Sequence, residues 1–209
     1  MLAAAEFFEI TVLGKGAHGS KPELSVDPIL VAARVIEALQ TIVSRRVSPL
    51  DSAVLSICRI EGGTNGNIIP DSVELEGTIR YLNPELGKKL PPWLEQTVNG
   101  VCESAGASCD IKYDRTYIPT INHAESVALG REIVEEVMGP DVWVEKEQPS
   151  MGGEDFAYYI VDHPGAMFFL GMGEDAPSLH NSCFDFNDEA MGNGIRFLVE
   201  LALRTLEAG

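Results

Sequence analysis

Apolar and polar residues alternate over residues 7–13, with Phe8, Ile10 and Val12 on one face and Glu9 and Thr11 on the other. That period predicts a half-buried strand. Gly14-Lys-Gly16 then breaks the chain into a loop carrying His18. Asp27-Pro28 predicts a helix start, a capping carboxylate followed by proline in the first turn. Val26, Ile29, Ala33, Ile36, Leu39 and Val43 recur at three- and four-residue steps and carry this helix to about Arg46. A strand is expected at 53–60, followed by a loop from Gly62 to Pro70 that holds three glycines and Asn67. The next strand, 72–81, sets Val73, Leu75, Ile79 and Tyr81 against Glu74, Glu76, Thr78 and Arg80. A helix from Pro91 or Pro92 to Ser104 and a strand at 108–114 complete the set. The order β-α-β-β-α-β is the split βαβ arrangement of ferredoxin-like domains. Such a sheet is covered by helices on one face and leaves the other free.

The pattern changes after Pro119. Asn122 is placed to cap a helix ending near Gly139, and Val142-Trp-Val144 reads as a short strand. Gly152-Gly153 leads into the acidic turn Glu154-Asp155. Ala166-Met-Phe-Phe-Leu170 is a continuous apolar run, which predicts a strand buried on both faces. A last helix, 188–207, is expected to turn Ile195, Leu198, Ala202 and Leu206 inward. The expected fold class is α+β: a ferredoxin-like domain at 7–115 and an incomplete α/β segment at 116–209.

Composition narrows the partners. In 209 residues, 45% are hydrophobic and 22% charged, ordinary for a globular protein, but the formal net charge is −17. A surface that acidic repels nucleic acid and anionic membrane alike. No apolar run approaches the roughly 20 residues of a membrane span. Cys58, Cys102, Cys109 and Cys183 show no zinc-site spacing. Cys58, Cys102 and Cys109 sit in or beside apolar runs and read as small core residues in a reducing compartment, so a cytoplasmic protein is expected.

Each candidate for chemistry has a plain alternative. His18 lies among glycines, which let a backbone come close to a ligand or another chain, or simply make a surface loop. Asn67 suits a turn that bonds its own backbone. Arg80 is near Glu74 and Glu76, so a surface ion pair is its default; a guanidinium is also the usual clamp for a carboxylate. His180 follows the apolar run and precedes the last helix, with Asp185 and Asp188 close in sequence. It can cap a carbonyl or ligate a metal with a carboxylate behind it. His123 and His163 read as surface residues.

In order along the chain, Gly14-Lys-Gly-Ala-His-Gly-Ser-Lys-Pro22, Gly63-Thr-Asn-Gly-Asn-Ile-Ile-Pro70 and Gly77-Thr-Ile-Arg80 resemble the lid domain of the zinc-dependent aminoacylase and carboxypeptidase family. Met151-Gly-Gly-Glu-Asp-Phe156 and Leu179-His-Asn-Ser-Cys-Phe-Asp-Phe186 resemble the C-terminal signatures of its amidohydrolase branch, which cleaves N-acyl amino acids. The resemblance implies a divalent metal, zinc or else manganese or cobalt, with His180 as one ligand. It implies that His18 reaches the active site of a twin subunit and polarises the scissile carbonyl. Asn67 and Arg80 would hold the substrate, an N-acyl amino acid or small peptide, the arginine by its free carboxylate. The lid would form a homodimer.

Complete family members begin with further metal ligands and a general-base glutamate, and no matching segment occurs in these 209 residues. Zinc catalysis needs about three or four protein ligands, so the chain is expected to be inactive alone. The alternative expectation is a dimerisation or regulatory module that lends lid residues to a full-length relative.

Overall fold

The computed structural model describes residues 1–173 and 176–207. The elements run β1 (Ala4–Leu13), β2 (Ala17–His18), a 3-10 turn (Pro22–Leu24), α1 (Pro28–Arg46), β3 (Ala53–Glu61), β4 (Ile68–Ile69) and β5 (Ser72–Tyr81). They continue with α2 (Pro84–Gly87), α3 (Leu90–Ser104), β6 (Ser108–Tyr117), α4 (Ala124–Met138), α5 (Ala157–Ile160) and α6 (Asp188–Glu207). The chain divides into two compact units, one of residues 1–120 with 149–158, the other of 121–148 with 159–209.

In the first unit a four-stranded sheet has the order β3-β5-β1-β6, every neighbouring pair antiparallel. Period-two alternation puts Phe8, Ile10 and Val12 of β1 and Val73, Leu75 and Ile79 of β5 on the buried face. α1 and α3 cover that face with Val31, Val35, Leu39 and Ile42, and with Leu90, Leu94 and Val98. The Asp27 carboxylate accepts the Ile29 amide at 2.9 Å and the Leu30 amide at 3.3 Å, so the cap forms as its sequence predicts. The buried stripe of α1 is turned from the predicted one: Val31, Ala32 and Val35 go inward, and Ile29 and Ala33 stay exposed. This helix is apolar over more than one stripe, and the sheet selects between them. The opposite sheet face is polar, with Lys112 reaching Glu9 at 3.2 Å and Arg59 pairing with Glu61 and Glu76.

Residues 149–158 return to this unit. The Ala3 amide donates to the carbonyls of Ser150 at 2.9 Å and Gly152 at 3.0 Å, and the Ser150 amide donates to Met1 at 3.1 Å.

The second unit departs from its sequence pattern. Neither 142–144 nor 166–170 pairs as a strand, and no strand is formed among the described residues of this unit. The run 166–170 lies against α4 and α6 through Phe168, whose ring meets Phe197 edge-on at 5.0 Å and Trp143 at 6.1 Å. Gly130 makes room for it: a Cβ there would lie 2.4 Å from Phe168 Cζ. Asn122 does not cap α4, which starts after His123. Its amide instead bonds both backbone groups of Met167, at 3.0 and 2.9 Å. Arg204 of α6 joins the helices through Glu136 at 2.6 Å and Glu132 at 3.3 Å. On α6 the predicted inner residues Ile195, Leu198, Ala202 and Leu206 are exposed, and Ala190 is the buried one. Among the described residues no helix is long and apolar enough to cross a membrane.

Candidate functional site

His18 and Asn67 come from separate glycine-rich loops, and the fold joins those loops. β2 and β4 pair as a two-stranded antiparallel ribbon, with His18 opposite Ile68, and the Gly19 amide donates to the Asn67 carbonyl at 2.8 Å. The Gly16 amide donates to Asp71 Oδ1 at 2.8 Å and ties the ribbon to the start of β5. A Cβ on Gly16 would sit 2.7 Å from the Ile69 carbonyl oxygen, and one on Gly14 2.2 Å from that of Val26. These glycines serve the close approach of the chain's own backbone.

Both His18 and Asn67 are exposed. The Nδ1 of His18 accepts the Ser20 amide at 3.1 Å and lies 2.9 Å from the Ser20 hydroxyl. A ring nitrogen that accepts from an amide carries no proton, so in the neutral imidazole the proton is on Nε2. The ring thus offers one outward donor.

Arg80 is at the far end of β5. Eight residues of strand at about 3.3 Å each separate it from Ser72, where the ribbon joins, so it lies roughly 26 Å from the ribbon end. Within one chain, then, His18 and Asn67 come together and Arg80 does not join them. Its predicted ion pair with Glu74 or Glu76 does not form. Arg59 takes Glu76, and among the described residues Arg80 pairs with no carboxylate. Instead its Nε donates to Thr78 Oγ1 at 3.1 Å and its guanidinium lies 5.6 Å from the Phe7 ring centroid. The 149–158 segment borders it, since a Cβ on Gly153 would be 3.4 Å from Arg80 Nη1 and 2.9 Å from the Ala5 Cβ. Gly153 is thus needed for this segment to lie flat on the sheet end.

His180 belongs to the second unit. It sits in an exposed turn with φ 66°, a left-handed conformation that few side chains adopt. No group of three or more His, Cys, Asp or Glu side chains that could hold a metal occurs among the described residues. The residues present do not fit a metal centre on their own, and no reaction step is derived through one.

One buried acid escaped the sequence reading. Glu6 is 1% exposed; its Oε1 accepts the Tyr81 hydroxyl at 2.7 Å and lies 3.7 Å from Arg115 Nε, and its Oε2 has no hydrogen-bond partner. Burial first, and then the hydrogen bond to Glu6, push the Tyr81 hydroxyl well above the ordinary tyrosine range. The signal was available, because Glu6 shares the parity of Phe8, Ile10 and Val12.

Residues 16–204 match the model of the peptidase family M20/M25/M40. The chain is 35% identical over 208 residues to the N-acetylcysteine deacetylase of Bacillus subtilis, covering 99% of this chain and 53% of that protein. It is 35% identical over 222 residues to an IAA-amino acid hydrolase ILR1-like protein of Arabidopsis thaliana, covering 99% of this chain and 50% of the relative. Among solved structures it superposes on Bacillus subtilis YXEP, described as a dinuclear metal binding peptidase from the M20 family. That match has a TM-score of 0.79 and 28% identity, over 99% of this chain and 51% of the other. The chain spans about half the length of the curated relatives it matches.

Proposed function

We propose, for a chain that belongs to the peptidase family M20/M25/M40, that it carries the ferredoxin-like lid and the closing part of the catalytic domain of a metal-dependent amidohydrolase. The lid corresponds to 7–115 and the catalytic part to 116–209. The reaction is hydrolysis of the amide between an acyl group and an amino acid in the cytoplasm, by an enzyme that is complete only with the remaining metal ligands and a general base. His180 supplies one ligand to zinc, manganese or cobalt.

The observation that carries this reading is Arg80. A half-buried guanidinium stacked on Phe7 and paired with no described carboxylate, in a chain of net charge −17, is a vacancy for an external anion. A substrate carboxylate matches it in charge and in its two parallel acceptors. His18 offers Nε2–H to the scissile carbonyl, and Asn67 stands beside it on the ribbon. Since one chain keeps Arg80 and His18 at opposite ends of β5, a site using both takes Arg80 from one subunit and His18 with Asn67 from its twin. Homodimerisation through the lid is part of the proposal.

The test supplies the rest of the catalytic domain and assays N-acetylcysteine and hippurate. Hydrolysis is expected. His18→Ala should lower kcat by about 10²–10³, the usual loss for one transition-state donor. Arg80→Ala should chiefly raise KM for substrates with a free carboxylate, by about tenfold or more. Mixing the two impaired variants should restore activity, because a mixed dimer has one site with both residues intact. A completed enzyme inert to N-acyl amino acids overturns the reading, and failure of mixing to restore activity removes the shared site.

A further inference from the structure

Two of the four cysteines meet at one corner of the first unit. Cys102 lies in the last turn of α3, 1% exposed, within the apolar cluster between helices and sheet. Cys109 lies on β6, an edge strand, opposite Val12 of β1. Alternation along β6 turns Cys109 to the helix side with Ile111 and Tyr113, where it packs half-buried against the same cluster. Both are free thiols, as are Cys58 and Cys183, which are exposed.

The turn between them brings the pair together. α3 ends in a Schellman motif: the Ala107 amide donates to the Cys102 carbonyl at 2.9 Å and the Gly106 amide to that of Glu103 at 3.1 Å, with Gly106 at φ 72°. The chain therefore doubles back over Cys102 before it enters β6. The Cys109 thiol donates to Asn99 Oδ1 at 3.3 Å. Asn99 is three residues before Cys102 and so is its neighbour on the helix surface. From there the Cys109 sulfur is also within reach of Cys102, whose thiol donates a weak hydrogen bond to it.

A small apolar residue would fill either place. Two thiols in contact add the capacity to exchange their hydrogens for a bond. That bond needs the sulfurs to close to about 2.05 Å, a short step from contact. We propose that Cys102 and Cys109 are an oxidation site, which a peroxide converts to a reversible disulfide locking the end of α3 to β6.

Cys109, on the edge strand, is the thiol a peroxide reaches. Its sulfur attacks one oxygen of hydrogen peroxide; the O–O bond breaks, the thiol proton leaves with the other oxygen as water, and Cys109 becomes a sulfenic acid. The Cys102 sulfur then attacks that sulfur from inside the core. The S–O bond breaks, and hydroxide leaves with the Cys102 proton as a second water. Two thiols lose two electrons and one peroxide becomes two waters. The surroundings set the pace. Burial first, then Asp110 and Glu103, hold the Cys109 thiol above its ordinary range against the hydrogen bond from Cys102. Burial, then Cys109, push Cys102 up to about 12. Thiolate is the attacking form, so the pair reacts slowly at neutral pH, after the exposed Cys58 and Cys183. It answers sustained oxidation, not a brief pulse.

The test treats the 209-residue chain carrying Cys58→Ser and Cys183→Ser with hydrogen peroxide. Its mass should fall by two hydrogens and recover with dithiothreitol. No lysine or arginine lies between Leu90 and Ile111, so one tryptic peptide holds both thiols. Cleavage of that peptide after Glu103 should leave the Cys102 and Cys109 pieces joined when oxidised and apart when reduced. The oxidised chain should melt several degrees higher than the reduced one. Cys109→Ser, at a half-buried position, should keep the circular dichroism of its parent and lose both the joined peptide and the shift.

Four results overturn the proposal. One is Cys109 carried on to sulfinic acid while Cys102 stays a thiol, which would mean the sulfurs cannot meet. Another is a bond found only between two chains, seen as a doubled mass. A third is both thiols surviving a peroxide dose that oxidises Cys58 and Cys183 of the parent to completion and is held tenfold longer. The last is a disulfide that lowers the melting temperature, since a corner that must distort to form the bond is not locked by it.

Discussion

Tyr81 and Glu6 show how much one buried pair contributes. The Tyr81 hydroxyl donates to Glu6 Oε1 at 2.7 Å inside the core, and Glu6 Oε2 is already unpartnered. Tyr81→Phe leaves Oε1 without its hydrogen bond and with only Arg115 Nε at 3.7 Å, so stability should drop by about 1–3 kcal/mol in urea titration. The same hydroxyl sets an alkaline limit. Its proton is held in the fold above the ordinary value of 10.0, so the unfolded chain loses that proton first. Its contribution is complete below pH 10 and is lost as pH rises through the folded value. Tyr113, whose hydroxyl donates to the Pro91 carbonyl at 3.0 Å and is also pushed up by burial, acts with the same sign. Melting temperature should therefore fall above about pH 10, less steeply in Tyr81→Phe; an unchanged slope would show that this pair does not set it. At this scale the sequence was partly legible. Parity placed Phe8, Ile10 and Val12 correctly, but it was not carried back to Glu6, which lies one residue before the predicted strand. Arg80 could not be settled from sequence, because its competitor for Glu76 is Arg59, and their proximity comes from pairing β3 with β5.

Elements in the first unit follow local chemistry closely. Asp27 followed by Pro28 starts α1, and the carboxylate meets two amides that no helical carbonyl can reach. Asp27→Ala should cost about 1 kcal/mol, read as a shift in denaturation midpoint at constant slope. Asp27→Asn should recover most of it. β2 and β4 were not predicted, because two-residue strands carry no periodic signal and depend on the loops meeting. In the second unit the local pattern was sound and its outcome was not. The apolar stripe on α6 and the run at 166–170 have the right composition for buried elements, but burial requires a neighbour, and none of the described residues supplies one. The strand expected at Val142–Val144 failed for the same reason.

At the scale of the molecule, the main hydrophobic cluster of the first unit draws on the stretch between Ala4 and Tyr113. A fragment of residues 1–120 should therefore fold with one cooperative transition, and a version reaching 158 should melt several degrees higher. The difference would measure what Ser150, Gly152 and Gly153 add at the Ala3–Ala5 end of the sheet. Equal melting temperatures would show that the returning segment is held by the sheet without holding it. That return has a further meaning during synthesis. Sheet and helices can assemble once the chain as far as about residue 120 has left the ribosome, while the Ala3 amide and the Met1 carbonyl must wait for Ser150 and Gly152. At about 5–20 residues per second these groups stay unpaired for seconds, open to chaperones or to other nascent chains. The last stitch in this unit is thus set by translation speed, and slow codons between residues 120 and 158 would lengthen the interval in which it can be mis-sewn.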